Sequence, residues 1–403
     1  MQALTIRRPQ GPLHASIDLP RSKSVSNRAL LIASLLGDLS LITGLSDGDD
    51  TRVMHELLRD RPHTMDCGAG GTTFRFLLAW ASVQEGEEHV ISGIPRLLQR
   101  PHGDLVEALR TLGADIERVA DGYRVRGRRL TGAKVHFDSP ISSQYLSALV
   151  LIAPLLPNGL QLQWTGTRLS EPFVSMTLKM LDHFGVRASL TMDGVVVPPG
   201  AYQKRPYEVP RDWSSAAFWF EQVALDPGSS VLLTGLQKDT LQGDREAVQL
   251  WSPWVRATEQ PEGLLLEHKP EAGPWTDSAV DMRHVPDLFQ PLAFTLAARG
   301  CKAALTGLDN LVVKETDRLK AVGDVLRQLG CTAGHRGGTF IQGGTITAKG
   351  SFTFDPDIDH RMALAVAPLA LLLDSVTVKD PGVVDKSYPR YWEHLREAGY
   401  FLS

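Results

Sequence analysis

A polar turn running straight into an apolar segment of helical length recurs six times along this 403-residue chain, and that repeat limits the available folds more than any other feature. The turns are SVSNR before Ala29–Leu36, GGTTFR before Phe76–Ala81, SSQ before Tyr145–Leu155, DWSS before Ala216–Leu225, PDLFQP before Leu292–Ala298 and DHR before Met362–Leu373. Taken at Arg28, Arg75, Tyr145, Ala216, Phe289 and Met362, the steps are 47, 70, 71, 73 and 73 residues. A second pattern keeps the same period: LRTLGADI at Gly113, LDHFGVRA at Gly185, LRQLGCTA at Gly330 and LREAGYFL at Gly399 each read as an amphipathic helix closed by glycine and followed by a strand. Two patterns in phase predict six α/β units, with β-rich tails such as Val195–Val197 and Phe352–Phe354. The first step is short by about one hairpin. The loss falls between Leu58 and Cys67, where only RDRPHTMD intervenes.

Proline and glycine cluster at Pro198–Pro210, which places a hinge near Pro210–Arg211 with three units on either side. The strand-like LTIRR and ASIDL of the first twenty residues have no unit of their own. The expected domains are therefore 21–210, and 1–20 together with 211–403, so that the chain crosses twice.

Composition narrows the function classes. Hydrophobic residues make up 43% and charged residues 22%, with a net charge of −4, which offers no global basic field for nucleic acid or an anionic membrane. The longest apolar runs, such as Ala363–Leu373, are too short to span a bilayer. The start MQALTIRRPQ lacks the apolar stretch of a secretory signal. Cys67, Cys301 and Cys331 are odd in number and without CxxC spacing, which argues against zinc or a disulfide framework and fits a reducing compartment. The expectation is a cytoplasmic protein, monomeric, with small-molecule substrates and neither nucleic-acid nor membrane partners.

Three turns place an arginine in the first turn of a helix: Arg28, Arg75 and Arg361. A helix N-terminus disfavours a cation by a few tenths to about 1 kcal/mol. Three such residues at equivalent points of a repeat therefore imply an anion there, since free N–H groups and arginine together suit phosphate or carboxylate. The run Gly68-Ala69-Gly70-Gly71-Thr72 would let backbone approach an anion closely. Lys23-Ser24-Val25-Ser26-Asn27-Arg28 carries more donors than one N-cap needs, which fits a ligand with hydroxyl and phosphate groups. After the strand-like Leu311–Val313, the polar burst Lys314-Glu315-Thr316-Asp317-Arg318 reads either as a capped helix start or as anion-binding cations around a proton-transferring Glu315. Lys386, in VDKSYP, reads by default as part of a surface turn.

With these residues in place, the chain resembles, over essentially its full length, the EPSP synthase family of enolpyruvyl transferases. The likeness is carried by LPRSKSVSNRALLIASL, GGTTFRFL, PRLLQRPHGDLVEALRTLGA, SSQYLSALVLIAP and SEPFVSMTLKML, then by DWSSAAF, LQGDREAV, DMRHVPD, NLVVKETDRLKAV, DHRMALA and DKSYPRYW. The resemblance implies an inside-out α/β barrel fold, the enolpyruvyl transferase fold: two similar domains, each of three βαβαββ-type units, with the active site in the cleft between them. It implies transfer of the enolpyruvyl group of phosphoenolpyruvate to the 5-hydroxyl of shikimate 3-phosphate, releasing phosphate, in chorismate and aromatic amino-acid biosynthesis. Matched motif by motif, shikimate 3-phosphate falls to Lys23, Ser24, Arg28, Ser142, Ser143, Gln144, Ser170, Asp287, Asn310 and Lys314. Phosphoenolpyruvate falls to Lys23, Gly71, Arg100, Gln144, Arg318, Arg361 and Lys386. Asp287 and Glu315, helped by Lys23, become the proton-transfer groups.

Lysine and arginine can supply the cations the chemistry needs, so neither a metal nor an organic cofactor is expected, and His360 has no ligand-like neighbours in sequence. A sister enzyme acting on UDP-N-acetylglucosamine would carry a reactive cysteine within the loop matching Gly93–Arg100, which has none. An inactive anion-binding homologue would not need the complete set of cations and both carboxylates. The chain departs from the family pattern at Arg21, where glycine is usual, at Ala69, where many members have asparagine, and in the shortened stretch after Leu58.

Overall fold

A computed structural model describes residues 3–166, 170–238, 241–271, 273 and 275–403. The chain divides into two compact units, Arg21–Val209 and Met1–Pro20 with Pro210–Ser403. The boundary falls one residue before the expected Pro210, and backbone bonding explains it. The Val209 N–H donates to the Thr43 carbonyl and Arg21 Nη1 to the Val209 carbonyl, holding Val209 to the first unit. Arg211 donates to the Leu19 carbonyl and the Asp212 N–H to the Pro20 carbonyl, holding the start of the next helix to the second.

Six helices are the repeat's apolar segments: α1 (Lys23–Leu35), α2 (Gly71–Ser82), α3 (Ser143–Ile152), α4 (Trp213–Leu225), α5 (Phe289–Ala298) and α6 (His360–Val366). They are apolar on nearly every face and are buried almost end to end, as such sequences must be. Within each unit three of them pack on one another, α1, α2 and α3 in the first and α4, α5 and α6 in the second. The remaining long helices are amphipathic. Asp49–Asp60, for example, buries a stripe of Asp50, Met54 and Leu58 at helical spacing.

Around the buried helices lie small sheets, helices inside and strands outside. Among the described residues, five sheets have four strands and one has two. Every sheet holds one parallel pair: Thr64–Asp66 with Glu88–Ser92, Lys134–Asp138 with Leu160–Thr165, His14–Ile17 with Ser230–Thr234, Ala279–Asp281 with Ala303–Thr306, Ser351–Phe354 with Ser375–Val378, and Ile42–Thr43 with Tyr207–Glu208. In four of them an antiparallel hairpin extends the pair. In the fifth, Leu4–Arg7 and Phe401–Leu402 take the hairpin's place, so the N-terminal strands complete sheets of the second unit. The two-stranded sheet belongs to the short first repeat. Its hairpin is the stretch missing after Leu58. The glycines that close the repeated helices, Gly113, Gly185, Gly330 and Gly399, stand at φ of +103°, +87°, +94° and +94°, a region other residues enter only at a cost.

Two local expectations need correction. Ser22 caps α1 and its first turn begins at Lys23, so Arg28 lies in the second turn; Arg75, fifth in α2, does likewise. Only Arg361 sits in a first turn, behind the cap Asp359. Leu311–Val313 is not a strand but part of a 3-10 turn, Asp309–Val313, because the Leu308 N–H already donates to the Gly338 carbonyl at the end of a neighbouring hairpin.

The core holds one group at odds with its surroundings. Glu221 of α4 is fully buried, and among the described residues neither carboxylate oxygen has a partner. Burial pushes its pKa well above the ordinary carboxylate value. A pKa raised on folding gives stability that is complete below the unfolded value near 4.5 and is lost as pH rises towards the folded one. Glu221→Met should therefore raise stability at pH 7.5 by about 1–3 kcal/mol and flatten its decline from pH 5 to 8 in denaturant titrations. An unchanged pH slope would contradict this.

Candidate active site

In the second unit the site is built on the start of α6. The Asp359 side chain caps that helix by accepting from the Arg361 N–H, and it is fully buried. Its oxygens also take two bonds from Arg318, 2.7 Å to Nε and 3.2 Å to Nη2. Arg318 opens its own helix, Arg318–Gln328, behind the cap Asp317. The capped-start reading of the polar burst thus holds: Asp317 caps a helix, and Arg318 turns inward from its first position. The same guanidinium reaches Glu315 at 3.0 Å and Asp287 at 3.4 Å. Burial opposes the charge on this 3% exposed group, but the three carboxylates around it outweigh that cost and hold its pKa above the ordinary arginine value. Arg361 adds 3.0 Å to the Asp287 carboxylate and 3.3 Å to its carbonyl. Lys386 Nζ lies 3.6 Å from Glu315 and is 9% exposed. It is therefore no surface turn.

The result is a balanced cluster: Asp287, Glu315 and Asp359 against Arg318, Arg361 and Lys386. Each of Asp287 and Glu315 is held between two cations, which fixes the direction of its lone pairs. A fourth carboxyl adjoins them. Asp244, in LQGDREAV, is buried against the Ser214 hydroxyl at the start of α4, and burial with the neighbouring Asp287 charge pushes its pKa up to about 7. Asn310 is buried in the 3-10 turn that leads to Lys314.

The first unit is charged differently. The first turns of α1, α2 and α3 contain no acidic residue, and their starts are Ser22, Gly70 and Ser142. Lys23, Arg28, Arg75 and Arg100 gather there. Lys23 pairs with Asp50 at 3.1 Å. Arg28 is 2% exposed and bonds neutral oxygens: the Thr177 and Ser147 hydroxyls and the Ser24 and Phe173 carbonyls. Burial without a carboxylate partner lowers its pKa to about 9. Arg75 bonds the Gln144 side-chain oxygen and the Pro101 carbonyl, while Gln144 donates to the Thr72 hydroxyl at 2.9 Å. The Arg100 guanidinium lies against Gly71, so close that a Cβ there would stand 2.5 Å from Nη1. Ser143 is buried one residue inside its helix, and Ser170 starts Glu171–His183 at a left-handed φ of +57°. Such a serine costs on the order of 1–3 kcal/mol, and strain of this kind gathers at functional sites.

Side-chain bonds thus join Asp287, Glu315, Arg318, Arg361 and Lys386 into one cluster, and join Gln144 to the α2 start. Sequence reasoning passed over Asp50, Asp359 and Asp244, which hold or neighbour the cations. Asp359 and Asp244 lie within the DHRMALA and LQGDREAV motifs, so their positions carried a signal; the SDGDD run gave nothing that set Asp50 apart. Among the described residues no group of three or more His, Cys, Asp or Glu is placed to hold a metal, and no helix is long and apolar enough to cross a membrane.

A model of the family EPSP synthase (3-phosphoshikimate 1-carboxyvinyltransferase) matches residues 7–61 and 60–395. A 3-phosphoshikimate 1-carboxyvinyltransferase of Bacteroides fragilis is 39% identical over 396 residues, covering 96% of each chain. One of Aliivibrio salmonicida is 33% identical, covering 98% of this chain and 99% of its own. The solved structure of EPSP synthase from Acinetobacter baumannii has the same fold, with a TM-score of 0.76 at 20% identity over the whole of both chains.

The Gly71–Arg100 contact yields a direct test. Only the far end of the Arg100 side chain would have to shift for Gly71→Ala. The variant should lose less than about 1 kcal/mol of stability. It should bind a phosphate- or carboxylate-bearing ligand at this helix start about tenfold more weakly by calorimetry. Unchanged affinity would show that Arg100 is not aimed at an anion.

Proposed function

We propose a division of labour among these residues on one premise: the chain belongs to the EPSP synthase family and transfers the enolpyruvyl group of phosphoenolpyruvate to the 5-hydroxyl of shikimate 3-phosphate, releasing phosphate, in the shikimate pathway to aromatic amino acids. The acceptor is held by Lys23, Ser24, Arg28, Ser142, Ser143, Gln144 and Ser170 from the first unit and by Asp287, Asn310 and Lys314 from the second. Phosphoenolpyruvate is held by Lys23, Gly71, Arg100 and Gln144 from the first and by Arg318, Arg361 and Lys386 from the second. Both sets serve one pair of substrates, and the protein acts as a cytoplasmic monomer.

The observation that carries this reading is the sharing of one guanidinium, Arg318, by the two carboxylates that the chemistry needs. The 5-hydroxyl must lose a proton as its oxygen bonds C2 of phosphoenolpyruvate, and C3 must gain one. A proton then leaves C3, the C2=C3 bond reforms, and the C2–O bond to phosphate breaks. Asp287, fixed by Arg318 and Arg361, takes the hydroxyl proton. Glu315, fixed by Arg318 and Lys386, gives the proton to C3 and takes one back, with Lys23 assisting. The arginines and lysines are fixed before reaction, so they meet the carboxylate, the phosphate and the leaving charge without reorganising. These side chains supply every cation the reading requires, so it assigns no metal and no organic cofactor.

Enzyme exhaustively treated with EDTA should still release phosphate from the two substrates; turnover that returns only with metal, or only with a UDP-sugar, would overturn the reading. Lys23→Ala should lower kcat/KM by ~10²–10⁴-fold. Glu315→Gln should lower kcat by a similar factor while shikimate 3-phosphate affinity stays within about threefold. Equal losses of both in the glutamine variant would make Glu315 a binding or capping group instead.

A further inference from the structure

Lys386 stands at the end of a 3-10 turn, Pro381–Lys386, and the turn alone cannot keep an ammonium aimed at Glu315. Lysine has a flexible four-carbon stem, and a single 3-10 turn frays readily. Two residues on, Tyr388 is fully buried, and its N–H donates 2.8 Å to the Val384 carbonyl, closing the backbone around Lys386. Its hydroxyl meets two further buried groups from different helices. Trp219 Nε1 of α4 lies 3.1 Å away, and His394 Nδ1 of the helix Tyr391–Glu397 lies 2.8 Å away.

Donor counting orients the first of these bonds. An indole N–H can only donate, so the Tyr388 oxygen accepts from Trp219, while its bond with His394 Nδ1 runs in the direction set by the histidine tautomer. Burial lowers the His394 pKa to about 4, so the ring is neutral and its bond to the Tyr388 hydroxyl is one between uncharged groups. The tyrosine ring also stands 5.3 Å from Tyr391 and 5.5 Å from His394, centroid to centroid, which leaves it little rotational freedom. Trp219 lies in a helix buried among the other core helices of its unit, so the hydroxyl is anchored to the packed core.

We propose that Tyr388 is a positioning residue for the known reaction, its hydroxyl tying the Lys386 turn to Trp219 and His394 so that the ammonium is held on Glu315 and presented to phosphoenolpyruvate. This rests on the assignment of Lys386 to phosphoenolpyruvate made above. Without the hydroxyl, two buried groups lose their shared partner and the turn relaxes, which should cost the enzyme in the substrate that Lys386 meets and not in the other.

The test is a double-mutant cycle on the full chain with Tyr388→Phe and Lys386→Met, reading KM for each substrate, kcat and the melting curve. Tyr388→Phe should raise KM for phosphoenolpyruvate by about tenfold with KM for shikimate 3-phosphate within about twofold. In the Lys386→Met background the same change should add less than about twofold, because the group it positions is gone. If Tyr388→Phe melts too low to assay, Trp219→Phe removes the donor from the other side and should give the same split between substrates. Equal rises in both KM values, or the full tenfold loss persisting in Lys386→Met, would show a purely structural tyrosine and overturn the inference. A Lys386→Met enzyme with unchanged phosphoenolpyruvate kinetics would instead refute the assignment of Lys386, and the positioning role with it.

Discussion

A guanidinium that is 3% exposed and bonded to three carboxylates, Arg318, is the interaction on which the rest of the site depends. A buried arginine without partners would be costly, and a buried carboxylate such as Asp359 no less so. Each makes the other tolerable. Asp359 has a second duty as the cap of α6, so the position of Arg318 is referred directly to a core helix. Glu315 and Asp287 are then fixed relative to that helix through Arg318, and Lys386 and Arg361 are fixed relative to them. Removing Arg318 would leave a buried acid at a helix start and take one of two cations from each of Asp287 and Glu315, a larger loss than one ligand contact.

The two units use the same architecture with opposite electrostatics. The N-terminus of each core helix carries a partial positive charge. In the second unit aspartates answer that charge at the starts of α4 and α6, and a further one, Asp287, closely precedes α5; the cations there are matched by carboxylates. In the first unit serine and glycine stand at the starts, and of the cations near them Lys23 is paired with Asp50 while Arg28 bonds neutral oxygens. Serine and glycine starts leave the free N–H groups of the first unit's helices open to anionic groups, whereas the second unit's are answered by its own aspartates.

Much of this was legible in the sequence because it is local. The six-fold period, the glycine-closed helices, the strands at residues 4–7 and 14–17 and the lost hairpin after Leu58 are all statements about neighbours along the chain. The motifs also contained most of the cations and two of the carboxylates, Asp287 and Glu315, that the structure brings into one cluster. What escaped is what depends on distant partners. Arg28 and Arg75 looked like first-turn arginines because the caps Ser22 and Gly70 lie several residues before the apolar run. In the structure they brace buried helices as well. Asp287 meets Arg361 across 74 positions and Arg318 meets Asp359 across 41, and no spacing rule connects them. Leu311–Val313 has the β-branched character of a strand, yet it lies in the 3-10 turn Asp309–Val313. The left-handed Ser170 carries no sequence mark either, since serine is ordinary at a helix start.

The central claim is that Glu315, held by Arg318 and Lys386, both delivers a proton to C3 of phosphoenolpyruvate and removes one. Turnover in D2O followed by mass analysis of the product tests it most directly. The account predicts deuterium in the vinyl CH2 group of product made by the native enzyme, and Glu315→Gln reducing turnover and incorporation together while shikimate 3-phosphate still binds. Product free of deuterium, or a glutamine variant that incorporates it at the native rate, would contradict the account.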